Sequence, residues 1–111
     1  MEVLIRPSDE FVRQAKRFSK KYKSFVSDLI SFQGALRQNP YLGTDLGGGK
    51  RKVRFNVASK NKGKRGGMRV ITYQIVQTSE IFCVYLITIY DKSEYSSVSD
   101  RYVNQIIQGL Q

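Results

Sequence analysis

Residues 80–90 read EIFCVYLITIY, and from Ile81 onward they form the longest apolar run of the 111-residue chain. A short run rich in β-branched and aromatic residues is typical of a strand that is buried on both faces. The run has about half the length that a membrane-spanning helix needs. We therefore predict a strand at the centre of a sheet and no membrane partner.

Three other segments have strand character. Residues 52–57 (KVRFNV) alternate apolar and polar side chains, which indicates a half-buried strand. Residues 68–76 (MRVITYQIV) are rich in Ile, Val and Tyr, and a short strand is expected from Glu2 to Arg6. These segments, with the central strand, predict an antiparallel sheet.

The stretch between the first two strands is helical in pattern. Ser8 is a suitable N-cap, and apolar residues recur at helical spacing from Phe11 to Tyr22. A second helix is expected from about Ser24 until Pro40, since the residue before proline avoids the helical region. The two helices form an αα-hairpin.

A third helix closes the chain. Ser97-x-x-Asp100 has the form of a capping box, and an apolar stripe follows it. The predicted order is β-α-α-β-β-β-α. We therefore predict a single α+β domain over residues 1–111, with an antiparallel sheet, an N-terminal αα-hairpin and a C-terminal helix.

The charge of the chain is concentrated in one segment. The formal net charge is +10, and residues 50–69 contain nine basic side chains and no acidic one. The remaining 91 residues hold ten basic and nine acidic groups. A nearly neutral scaffold with one basic segment predicts a partner rich in negative charge, such as nucleic acid, anionic lipid or an acidic protein.

The cysteine and histidine content limits the possible chemistry. Cys83 is the only cysteine and lies inside the apolar strand, so we expect a buried thiol and a reducing, cytoplasmic location. The chain has no histidine, which excludes histidine-based triads and the usual zinc sites. The acidic residues are too scattered for a two-metal site. We expect no metal and no cofactor, so acid–base chemistry must use Tyr, Lys, Arg or carboxylate groups.

A Gly-rich connection, residues 41–49, separates the helices from the later strands. The sequence GGGKR at 47–51 invites comparison with a phosphate-binding loop. The spacing from Gly43 to Gly49 is one residue too long, and Arg51 stands where that motif needs a hydroxyl for magnesium. We therefore predict a flexible linker and no small-molecule substrate.

The segment 59–67 (SKNKGKRGG) joins two predicted strands and is expected to be a long basic hairpin loop. A solvated run of charges would have the same composition, so the neighbouring strand positions are more informative. Lys52 and Arg54 share the polar face of one strand, while Arg69 shares a face with the apolar Ile71. An arginine on an otherwise apolar face needs an anionic partner, from the protein or from a substrate.

The central strand ends in YDKSEY, residues 90–95. Tyr90, Lys92 and Tyr95 therefore lie at the mouth of a strand. They are either part of a site or only the edge of the core and the surface, and the pattern leaves both interpretations open.

Taken in order, these segments resemble the RelE/HigB-type toxins of type II toxin–antitoxin systems. GGMRVITY at 66–73 resembles that family's GGxRVxY strand, and RKVRF at 51–55 and KGK at 62–64 are similar to its basic strand and loop. VYLITIYDKSE at 84–94 resembles its VYLLTIYxKxE strand end. With the helical hairpin before and the helix after, the resemblance covers nearly the whole chain, and the two glycines before the arginine are similar to the HigB branch of the RelE/ParE superfamily.

The resemblance implies a RelE-like fold and a ribosome-dependent endoribonuclease, an mRNA interferase, that cleaves messenger RNA in the ribosomal decoding site and inhibits translation. It also implies a partner antitoxin, of the helix-turn-helix, HigA-like kind. The implied catalytic candidates are Arg69, Lys92, Tyr90, Lys64 and Tyr95. Among the RNA- and ribosome-binding candidates, the resemblance implies Lys52, Arg54 and Lys62. The charge of the basic segment adds Lys50, Arg51, Lys60 and Arg65. Tyr90 and Tyr95 compete for the place of the family's C-terminal tyrosine.

Residues of these types can support RNA cleavage without a metal. We expect a ribose 2′-hydroxyl to attack the adjacent phosphate in line, giving a 2′,3′-cyclic phosphate and a free 5′-hydroxyl, while fixed cations stabilise the transition state. Arg69 suits bidentate phosphate binding, and a lysine or a tyrosine is the acid–base candidate. Two other interpretations stay open, namely a ParE-like DNA gyrase inhibitor and a non-catalytic RNA-binding module.

Overall fold

The computed structural model describes residues 2–60 and 67–110. Within these ranges the chain forms five strands and three helices. They are β1 (Glu2–Pro7), α1 (Asp9–Lys21), α2 (Phe25–Gln38), β2 (Thr44–Gly47), β3 (Lys50–Phe55), β4 (Met68–Val76), β5 (Ile81–Asp91) and α3 (Asp100–Gln108). The predicted α+β class is confirmed, and the helical hairpin and the C-terminal helix lie in the predicted parts of the chain.

The sheet is mixed, so the prediction of a purely antiparallel sheet was wrong. The strand order is β1-β5-β4-β3-β2. β1 runs parallel to β5, with Val3 opposite Phe82 and Ile5 opposite Val84, while the other neighbouring strands are antiparallel. The sequence could not show this, because the alternation of a short strand is the same in either direction. β5 lies between β1 and β4 with helices on both faces, which explains why it is apolar throughout.

A second correction concerns the Gly-rich connection that was predicted to be a flexible linker. Residues Thr44–Gly47 form β2, an exposed edge strand paired with β3, so the described order is β-α-α-β-β-β-β-α. Gly47, Gly48 and Gly49 have φ angles of 90°, 63° and 85° and turn the chain into β3. Glycine adopts these angles without steric cost. β3 therefore begins at Lys50, two residues earlier than the alternation indicated.

The helical hairpin covers one face of the sheet. Ser8 is buried at the start of α1, where its hydroxyl accepts from the Phe11 N–H at 2.9 Å and donates to the Ile87 carbonyl at 2.6 Å. One side chain thus caps α1 and joins it to β5. The largest fully buried side chains between the hairpin and this face are Phe18, Phe25, Phe55, Phe82, Leu36 and Met68.

α3 covers part of the opposite face. Its N-cap is Ser99, which accepts from the Tyr102 N–H at 3.1 Å, so the capping residue lies two positions after the predicted Ser97. Val103 packs in a cluster that includes Cys83, and Cys83 is buried as predicted. Within residues 2–60 and 67–110, none of the helices combines the length and apolar character that crossing a bilayer requires.

Candidate functional site

Three neighbouring strands bring two arginines and a tyrosine into one row. Arg54 of β3 lies opposite Arg69 of β4, and Arg69 lies opposite Tyr90 of β5. Directly paired residues point to the same side of a sheet, so the three side chains share the face that α3 partly covers. The sequence placed Arg54 and Arg69 on faces of their own strands and Tyr90 at a strand end, and the register of the three strands brings them together.

The row lines an open cleft of about 360 Å³. Four of its lining side chains are cations, and no carboxylate is among the described lining residues. The lining consists of Lys52, Arg54, Arg69, Lys92, Tyr90, Gly43, Thr44 and Ser96. Like charges held this close repel one another, so an anion bound between them lowers the electrostatic energy. The cleft therefore suits phosphate groups, for which guanidinium and ammonium donors are well matched.

The cations of the cleft have few partners inside the protein. Within the described ranges, the side chains of Lys52, Arg54 and Lys92 make no hydrogen bond or ion pair with the rest of the protein. Arg69 donates from Nη1 to the carbonyl oxygen of the adjacent Met68 at 3.2 Å. A guanidinium has five N–H donors, so most of those of Arg69 remain available to a ligand.

Tyr90 forms part of the cleft wall and is only 4% exposed. Burial raises the pKa of its hydroxyl, and the nearby charge of Arg69 reduces that rise without cancelling it. The hydroxyl is therefore protonated at neutral pH and is a proton donor. Tyr95, the competing candidate, is 58% exposed and lines a different cavity. Of the two tyrosines, Tyr90 is the one that the structure places with the cations.

A buried carboxylate behind the row holds the end of β5. Asp91 accepts from the Ser93 N–H at 2.9 Å, the Ser93 hydroxyl at 2.8 Å and the Tyr22 hydroxyl at 3.2 Å, and it lies 3.6 Å from Lys60 Nζ. Burial raises the pKa of the Asp91 carboxyl, but these partners together outweigh burial and hold it below its ordinary value. Asp91 therefore fixes the turn that carries Lys92 into the cleft.

Three of the predicted binding cations have partners elsewhere. Lys50 Nζ donates to Asn104 Oδ1 of α3 at 3.0 Å. Arg51 donates to two backbone carbonyls of the segment before β2, at 3.2 and 3.0 Å, and Lys60 pairs with Asp91. These contacts join parts of the fold, and none of the three residues lines the cleft.

The basic loop is the part of the predicted site that the structure does not describe. Lys62, Lys64 and Arg65 lie outside residues 2–60 and 67–110. Their roles remain predictions from the sequence.

Two contributors to the site were missed by the sequence analysis. Gly43 lines the cleft with φ +91°, and a Cβ there would lie 2.3 Å from the Lys52 carbonyl oxygen, so the close approach of these backbones requires glycine. Asp91 was passed over as part of a strand end. Its signal was a single carboxylate that directly follows a long apolar strand, where burial demands partners.

No model of a known protein family matches the chain. Within the described residues, no cluster of three or more His, Cys, Asp or Glu side chains could hold a metal ion. The geometry of the cleft is therefore the basis for a functional proposal.

Proposed function

We propose that the chain is a metal-independent endoribonuclease with a RelE-like fold, the HigB-like toxin of a type II toxin–antitoxin module. Its substrate is messenger RNA on the ribosome. The observation that carries the proposal is the row of Arg54, Arg69 and Tyr90, flanked by Lys52 and Lys92, with no carboxylate among the described residues that line the cleft. A neutralising antitoxin of the helix-turn-helix, HigA-like kind completes the module.

In the proposed reaction, a ribose 2′-hydroxyl attacks the adjacent phosphorus, and the bond to the 5′-oxygen of the next nucleotide breaks. Arg69 and Arg54 bind the phosphoryl oxygens, on which negative charge increases in the transition state. Tyr90, protonated at neutral pH, gives its proton to the departing 5′-oxygen, and Arg69 stabilises the resulting phenolate. The proton of the 2′-hydroxyl leaves to water. The products are a 2′,3′-cyclic phosphate and a 5′-hydroxyl.

The shape of the site supports dependence on the ribosome. The cleft is open on one side of the sheet, so it binds phosphate strongly but restrains the rest of a flexible strand weakly. In-line attack requires the 2′-oxygen, the phosphorus and the 5′-oxygen to be aligned, and a second surface that holds the RNA supplies a large share of the rate. Translated messages are therefore expected to be cut much faster than naked RNA.

The test compares wild type with Arg69→Ala after induced expression, by mapping RNA 5′ ends and following growth. Arg69→Ala is expected to lower cleavage about 10²- to 10³-fold, as removal of one transition-state donor does. Arg37→Ala is the matched control, because Arg37 is exposed near the end of α2 and lies outside the cleft. A thermal melt of each variant shows whether the fold is retained.

Two outcomes would replace the proposal. Growth arrest with intact messages and broken chromosomal DNA would indicate a ParE-like gyrase inhibitor. RNA binding without any cleavage, on or off the ribosome, would indicate a non-catalytic RNA-binding module.

A further inference from the structure

A second, larger cavity adjoins the cationic cleft. Its volume is about 920 Å³, within the range of small-molecule and nucleotide pockets. It is lined by α1, the end of β5 and the segment that leads into α3. The lining residues used below are Glu10, Gln14, Arg17, Glu94, Tyr95 and Tyr102. Tyr90 lines both cavities and is the only described residue they share.

Among the described residues, the cations of the cleft are not matched by carboxylates, whereas the charged groups of the second cavity are paired. Glu10 is paired with Arg13 of α1. The positive charge of Arg17 is matched by Glu94, whose carboxylate oxygens lie 3.0 and 3.3 Å from its Nη atoms. Glu10 supplies a further carboxylate. Burial raises the pKa of Glu10, but hydrogen bonds from Arg13, Tyr102 and Gln14 outweigh burial, and the pKa lies below its ordinary value. At neutral pH Glu10 is therefore ionised and only accepts hydrogen bonds.

The cavity also offers aromatic surface. Tyr95 is 58% exposed, and its side chain makes no hydrogen bond within the described residues, so its ring can contact a ligand. Tyr102 is held in place, because its hydroxyl donates to Glu10 Oε2 at 2.7 Å and lies 3.3 Å from Thr88 Oγ1. A wall with a free aromatic ring, carboxylate acceptors and no unmatched cation disfavours phosphate. It favours a flat, uncharged group that carries N–H donors.

We propose that this cavity is a base pocket that holds the nucleobase next to the phosphate bound in the cationic cleft, and that it selects bases with an exocyclic amino group over uracil. The base stacks on Tyr95, and its amino group donates to the carboxylate of Glu10. Adenine and cytosine have such a group on the Watson–Crick edge, whereas uracil has a carbonyl oxygen there, which a carboxylate repels. The inference rests on the proposed function insofar as both require bound RNA.

The test measures binding of three hexaribonucleotides, A₆, C₆ and U₆, each fully 2′-O-methylated so that no cleavage occurs. All three carry the same phosphates, so the cationic cleft contributes equally to each. Fluorescence anisotropy at one fixed salt concentration is expected to show A₆ and C₆ binding about tenfold more tightly than U₆.

Two substitutions assign this preference to the pocket. Tyr95→Ala is expected to weaken A₆ binding about fivefold or more through lost stacking, whereas Tyr95→Phe keeps the ring and retains the affinity. Glu10→Gln is expected to reduce the preference for A₆ over U₆, since an amide can also donate to the uracil carbonyl. Glu80→Gln is the matched control. Glu80 is exposed and precedes β5, at the opposite end of that strand from Tyr90.

The result also separates this inference from the proposed function. Equal affinity for the three RNAs, or no measurable binding of any of them, would overturn the base pocket even if messages are cut in cells. A preference for A₆ and C₆ that is reduced in Glu10→Gln, together with weaker A₆ binding by Tyr95→Ala, would support the pocket even if Arg69→Ala leaves growth and messages unchanged. In that case the ribonuclease proposal alone would fail.

Discussion

Replacing Asp91 with alanine is expected to lower the free energy of unfolding by about 3 kcal/mol. The side chain is 1% exposed and accepts hydrogen bonds from Ser93 and Tyr22 beside its ion pair with Lys60. Removing one member of a buried ion pair costs about 3 to 5 kcal/mol, because the other charge is left uncompensated. The Lys60 side chain is 19% exposed and reaches some solvent, which places the expected cost at the lower end of that range.

Urea unfolding, followed by circular dichroism, measures this change. With a slope of about 2 kcal/mol per molar urea, the midpoint of Asp91→Ala should fall by about 1.5 M. Asp45→Ala is the control. Asp45 lies 3.9 Å from Arg51 but is 69% exposed, and the loss of an exposed pair should cost about 1 kcal/mol or less. Equal midpoints for Asp91→Ala and wild type would refute the role assigned to Asp91.

The same residue gives a prediction for pH. Because the pKa of Asp91 is lower in the folded protein than its ordinary value of 3.8, its charge stabilises the fold fully above about that pH. The stabilisation is lost as the pH falls through the folded-state pKa. Wild type should therefore be more stable than Asp91→Asn at neutral pH, and the difference should shrink in strong acid. A difference that is constant from about pH 7 to pH 2 would contradict this reasoning.

Two further predictions concern the cleft. Tyr90→Phe keeps the ring but removes the proton donor. Cleavage of messages on purified ribosomes should therefore fall about 10²- to 10⁴-fold, while binding of uncleavable RNA stays unchanged. Equal cleavage rates for wild type and Tyr90→Phe would exclude Tyr90 as the acid. The double variant Lys52→Ala, Lys92→Ala should reduce the slope of log affinity for single-stranded RNA against log salt by about 1.4, measured by anisotropy. The control is the double variant Lys16→Ala, Lys20→Ala, at two exposed positions of α1, and it should leave that slope unaltered. An equal effect of the two double variants would show that RNA is bound by the charge of the whole surface and not by the cleft.

The sequence was most informative where periodicity and burial agree. The alternation around Val53 and the apolar run of β5 predicted strands that the structure confirms, and the position of Ser8 predicted the start of α1. These are local properties of short segments, so a single sequence carries them. The direction of β1 and the existence of β2 depend on which strand each one pairs with, and that information is not local.

The candidate site shows the same difference between what is local in the sequence and what depends on strand pairing. Arg69 was a candidate from its type and position, and the resemblance added Lys92. That Tyr90, and not Tyr95, lies beside Arg69 depends on the register of β4 and β5. Charge density alone assigned Lys50, Arg51 and Lys60 to RNA. The structure gives each of them a partner in the fold, and their role in RNA binding stays a prediction.

The contact between Ser8 and Ile87 has a consequence for synthesis of the protein. These two residues are 79 positions apart in the chain, and the strand that receives both β1 and the start of α1 is the last strand to be made. At about 5 to 20 residues per second, a ribosome needs about 4 to 16 s to reach Ile87 after Ser8 has been added. During that interval the sheet lacks β5, the strand to which Ser8 fixes the helical hairpin, so the apolar side of the hairpin is incompletely covered for several seconds. The row across β3, β4 and β5 is completed only when translation has reached Tyr90.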